Sequence, residues 1–144
     1  MNLMMVLAAG LLVAADDDAK KKELEKMQGV WQVVGVELDG KKQPQADVEK
    51  TKLRLTIKGN KYVYKAGDTE VGEGSFEIDT TKDPKTIDVS GTTKTGKVEK
   101  TIGIYELKGD TMRVCLVPAG EERPKEFATK ADSKAAVMEY KRAK

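Results

Sequence analysis

From Val30 onward the apolar positions of this chain recur with a period of two. Leu53, Leu55 and Ile57 alternate with Arg54, Thr56 and Lys58, the pattern of a strand with one face buried and one face wet. Gly59-Asn60 then predicts a tight turn into a strand over Lys61–Lys65, on which Tyr62 and Tyr64 share a face. Further strands are expected over Glu70–Asp79 (Phe76 and Ile78 inward), Thr86–Val89 (Ile87 and Val89 inward) and Val98–Leu107 (Ile102 and Ile104 inward). Lys108-Gly109-Asp110 predicts a hairpin into Thr111–Val117, whose Met112, Val114 and Leu116 share a face. A short extended piece over Lys125–Thr129 around Phe127 and a final strand over Ala135–Arg142 complete the series.

Turn signals spaced by roughly eight to twelve residues, with no long helical period, predict an all-β fold of about eight or nine strands. Most connections are short, so sequence neighbours pair, which selects an antiparallel up-and-down β-barrel. Closure also removes exposed sheet edges. The connection from Gly40 to Lys52 is too long for a hairpin; Asp47 is a candidate cap for one helical turn, and the segment is a lid or a surface excursion. Ahead of the strands, residues 16–26 form a charged leader in which Leu24 and Met27, three apart, predict a short helix laid on the barrel's end.

The first 15 residues differ in kind. Leu3–Val13 is an unbroken apolar run ending in Ala14-Ala15 before three aspartates, which reads as a secretory signal peptide, with a buried core helix as the alternative. It is too short for a permanent membrane span. The mature barrel, 27–144, is then extracytoplasmic, periplasmic or secreted.

Composition narrows the chemistry. Lys and Arg number 26 against 24 Asp and Glu, a net charge of +2 with the signs interspersed, which gives no basic stripe for nucleic acid. The chain has one cysteine, Cys115, and no histidine, so no internal disulfide, no Ser–His or Cys–His pair and no His-based metal site can form. No catalytic residue, metal or cofactor is expected.

Gly29-x-Trp31 on the first strand, after a short helical lead-in, resembles the opening signature of lipocalins and related calycin barrels. The resemblance implies that Trp31 stoppers the barrel floor and that a basic residue near the carboxyl end, Arg142 or Lys141, packs across its ring. A longer set of blocks is similar to the planctomycete-type lipocalin-like domain family: Met27–Trp31, Phe76–Asp79, Pro84–Asp88, Ile104–Cys115 and Arg123-Pro124-x-x-Phe127. That family implies an exported small barrel and brings no activity or ligand with it.

Two functions follow as expectations. One is a monomeric, non-catalytic binder of a small apolar or amphipathic ligand at the barrel mouth, with Tyr62, Tyr64 and Tyr105 orienting it and Arg123 meeting an anionic group or else an internal carboxylate. It requires an interior void of more than about 300 Å³, the low end for ligand pockets; a filled interior removes the ligand. The other is a cell-envelope protein–protein interaction module with a filled core, which requires an exposed apolar patch of several hundred Å².

Overall fold

The computed structural model describes residues 17–93 and 95–143. The signal-peptide reading of 1–15 lies outside the described residues. The chain runs through helix α1 (residues 17–27), β1 (Gly29–Leu38), β2 (Lys41–Lys42), α2 (Gln45–Lys50), β3 (Leu53–Lys58), β4 (Lys61–Ala66), β5 (Thr69–Asp79), β6 (Thr86–Thr92), β7 (Val98–Lys108), β8 (Thr111–Pro118) and β9 (Ala136–Arg142). Every strand from β3 to β9 pairs antiparallel with the next, and β1 pairs with both β3 and β9. That second pairing closes an eight-stranded up-and-down barrel, and the two-residue β2 hangs outside it on β1. No described helix is long and apolar enough to cross a membrane.

The floor is built around Trp31, which is fully buried. Its indole Nε1 donates to the Met27 carbonyl at 2.9 Å, tying the barrel to the end of α1. The Arg142 guanidinium lies 4.2 Å from the indole ring centroid. The same guanidinium donates to the carbonyls of Gln28 (2.8 Å) and Lys26 (2.7 Å). A cation there satisfies carbonyls that a helix leaves unpaired and opposes its negative end. Gly29 has φ +110°, a conformation that strains any L side chain, and a Cβ on it would press on Arg142 Nη1 at 3.3 Å. The Gln28 side chain closes the remaining gap: it donates to Leu24 O and Gly59 O and accepts from Gly59 N. Helix α1 itself is pinned by Met27, 1% exposed, and by a 2.5 Å ion pair between Glu23 and Lys85.

Inward positions form one core that includes Leu55, Ile57, Phe76, Ile78, Ile87, Met112 and Val114. A second, smaller core lies outside the barrel wall. There Ile104, Cys115 and Val137 are buried, with Phe127 and Ala135 packed against them. This corrects the expected phase of β7: Ile104 pairs with Cys115 and Tyr105 with Val114, so Gly103 and Tyr105 take the inward face and Ile102 and Ile104 the outer one. Both faces of β7 are apolar because the 119–135 segment covers the outer one, and alternation alone cannot assign the faces when both are buried.

That covering segment is irregular, and no strand forms over Lys125–Thr129. It is held by side chains: Arg113 sits 4.1 Å over the Phe127 ring, and Glu37 accepts from both N and Oγ1 of Thr129. Helix α2 starts at Gln45 after Pro44, with Asp47 inside its first turn, so Asp47 does not cap it. Its one buried residue, Val48, joins the main core and lays the helix over the upper end of β1.

Replacing Arg142 by Ala removes the ring contact and two charge-assisted hydrogen bonds, and is expected to destabilise the protein by about 2 kcal/mol. At Gly103 a Cβ would stand 1.8 Å from the Cys115 carbonyl oxygen. Gly103→Ala is accordingly expected to cost about 3 kcal/mol, more than the loss of Arg142. Urea unfolding followed by Trp31 fluorescence measures both; equal stability of either variant with the parent would contradict this account of the floor or the wall.

Candidate functional site

Between the floor and the open end, the barrel keeps a void of about 150 Å³. Its wall is apolar side chains from every part of the ring (Leu55, Ile57, Phe76, Ile87, Met112, Val114 and Leu116 among them) interrupted by Tyr62, Tyr64 and Tyr140. A second lobe of about 180 Å³ shares Tyr62, Tyr64, Val89 and Thr101 with the first and is bordered by Val71, Glu73, Thr92, Thr93 and Glu99 at the rim. The inner lobe is thus apolar with three phenols, and the outer lobe is mixed, with Glu73, Glu99 and threonines beside its apolar surface.

Strand chemistry explains why room remains. Tyr62 and Tyr64 point inward from β4, opposite Gly74 and Gly72 of β5. Gly74 in turn pairs with Gly91 of β6. A Cβ on Gly74 would stand 2.7 Å from Tyr62 Oη, and one on Gly91 would stand 2.6 Å from it. The bare backbone of the two glycines is therefore the space into which the Tyr62 phenol fits. The Tyr62 and Tyr64 rings meet edge to face, centroids 5.7 Å apart at 76°. The Tyr64 hydroxyl crosses the barrel and hydrogen-bonds the hydroxyl of Tyr140 on β9.

Burial governs the acidity of all four tyrosines. Desolvation pushes the Tyr64 phenol up to about 12, partly offset by its hydrogen bond to Tyr140. Desolvation also raises Tyr140, with Tyr64 adding to it, and raises Tyr62. Tyr105 is raised by burial and further by the negative charges of Glu23 and Asp79. All four are neutral hydroxyl donors throughout the physiological range.

Of the residues singled out in the sequence, Tyr62 and Tyr64 do line the barrel's opening. Tyr105 does not lie at the mouth: it is 1% exposed on the floor side, near Glu23 of α1, and its backbone N–H donates to Lys85. Its hydroxyl has no hydrogen-bond partner among the described residues. Arg123 is on the outer wall, where it donates to Asp88 (2.7 Å) and to the carbonyls of Gly103 (2.8 Å) and Ile87 (3.3 Å). Its guanidinium straps the covering segment to β6 and β7, the internal-carboxylate option with Asp88 as the partner. Gly29, Trp31 and Arg142 come together on the floor.

Sequence reasoning missed Tyr140. It shares strand parity with Arg142, and seating Arg142 on the Trp31 ring turns Tyr140 into the barrel; that inference was open from the residues alone. Two other concavities lie outside the wall. One, about 470 Å³, is a shallow groove whose charges answer one another, Lys20 with Glu77 and Arg123 with Asp88. The other, about 240 Å³, runs beside α2 between Glu37, Lys42, Arg113 and Glu139. Both are lined more by polar than by apolar atoms, unlike the inner lobe and unlike an ordinary ligand pocket.

Comparison with protein-family models, with curated proteins and with solved structures found no match to the chain. The geometry of the barrel carries the argument alone.

The tyrosines link stability to alkaline pH. In the unfolded chain they ionise near pH 10, whereas the fold holds them protonated to higher pH, with Tyr64 at about 12. Protons are then bound more tightly by the folded state, so the stabilisation is complete below about pH 10 and is lost as pH rises toward 12. Urea unfolding at about pH 9 and about pH 11 is expected to show this fall, and a smaller one in a Tyr64→Phe/Tyr140→Phe variant. An identical fall in both proteins would assign the loss to other groups.

Proposed function

We propose that the chain is an exported, non-catalytic binding domain of the lipocalin-like, planctomycete type that holds one compact amphipathic ligand in the barrel. The observation that carries this reading is the two-lobed void, apolar below and mixed at the rim where Glu73 and Glu99 stand, with Tyr62 and Tyr64 on the boundary of both lobes. Its size sets the class. A cavity of this kind near 150 Å³ takes about one benzene-sized ring, and ligand pockets of ordinary size begin near about 300 Å³. The inner lobe falls short of that mark, which removes a lipid or long acyl chain from the reading and leaves a single ring with a short polar extension into the outer lobe.

The small void favours the filled-core half of the interaction-module reading. The other half lacks support: among the described residues the large exposed apolar side chains are Val30, Leu38, Val71 and Val98, and Val30 and Leu38 stand at opposite ends of β1. Single exposed valines and leucines are ordinary surface.

A size-graded set of probes tests the proposal: toluene, benzyl alcohol, decanoate and dodecanoate, titrated into the protein and followed by two-dimensional NMR. Saturable shifts at Leu116, Val114 and Ile87 are expected with the one-ring probes and none with the acyl chains. Leu116→Phe, which puts a bulkier benzyl group in place of an isobutyl group on the inner lobe's wall, is expected to weaken one-ring binding at least tenfold, about 1.4 kcal/mol. Absence of saturable binding by every one-ring probe would overturn the carrier and leave the filled module.

A further inference from the structure

The hydrogen-bond count inside the inner lobe is unbalanced. Tyr64 and Tyr140 share one hydrogen bond between their hydroxyls, and neither hydroxyl makes another bond among the described residues. A phenol carries one O–H and two acceptor sites. Whichever of the two donates to its partner, the partner's own proton is left over. Tyr140 is 3% exposed and Tyr64 half-buried, and the rest of the lining is apolar but for the hydroxyls of Tyr62 and Thr101, neither of which hydrogen-bonds the pair. A buried donor left unmade costs about 1–3 kcal/mol, and the two phenols bracket the space that a ligand would fill.

We infer that the ligand of the inner lobe carries a neutral acceptor oxygen, a ring carbonyl in the simplest case, which takes the free proton of the Tyr64–Tyr140 pair. This deepens the binding reading above and rests on it. A carboxylate in the same position would bring a charge into a lobe lined by no described Lys or Arg, a burial without compensation. An ammonium would likewise be buried without a counter-charge, since no described Asp or Glu lines the lobe. A compact cyclic ketone satisfies both the volume and the unpaired hydrogen.

Matched probes separate this inference from the pocket itself. Cyclohexanone and methylenecyclohexane have the same ring and differ only in C=O against C=CH₂. Both are expected to bind the protein, and the ratio of ketone to hydrocarbon affinity is expected to fall by about fivefold in Tyr64→Phe/Tyr140→Phe. The parent protein gives a second readout: the infrared carbonyl stretch of bound cyclohexanone is expected below its position in an alkane solvent, as for a hydrogen-bonded carbonyl. Binding of both probes with an unchanged ratio, or an alkane-like stretch, would overturn the acceptor inference and leave the pocket standing. Failure of both probes to bind would overturn the pocket and the inference together.

Discussion

The barrel depends on a single cation. Arg142, on the last strand, covers the face of Trp31, on the first, and with the same planar group holds the carbonyls of Lys26 and Gln28 where α1 gives way to β1. A guanidinium alone among side chains offers flat stacking and several fixed donors at once, so Lys could not replace it. Three elements from opposite ends of the chain are joined there. Gly29 takes the positive φ that brings the backbone under that guanidinium, and the indole is oriented by its bond to Met27. The Gly-x-Trp pair and the distant Arg are one structural device.

Above this floor the wall sets the size of the interior. Glycines face inward where Tyr62 crosses, and Tyr64 meets Tyr140 in the middle of the barrel. Large phenols opposite bare backbone leave a residual space of one ring, neither a packed core nor a cup. The tyrosines also set its polarity, because burial keeps them neutral and makes them donors.

The sequence made the architecture plain because period-two alternation, turn residues and short connections agree over most of the chain. The floor was legible too, through Trp31, Gly29 and Arg142. What it hid has a common physical cause. Ile104 was assigned to the wrong face because both sides of β7 are dry, the outer one being roofed by an irregular segment with no periodic signature of its own. That segment looks extended around Phe127, yet it is held by Arg113, Arg123 and Glu37 through contacts far apart in sequence. Tyr105 seemed to belong with the mouth tyrosines by residue type, and only the direction of β7 relative to α1 sends it to the floor. The Tyr64–Tyr140 pair joins residues 76 apart, beyond any local pattern.

The seam of the barrel lies between β1 and β9, the first and last strands, so the ring can shut only when the final residues of β9 are available to the first. Pairing at such separation is slow, since the whole intervening chain must be gathered before the contact is rewarded. A polypeptide built this way stays open for as long as its tail is withheld. The strand that completes the cylinder is thereby also the last to deliver its parts, Arg142 to the indole and Tyr140 to Tyr64.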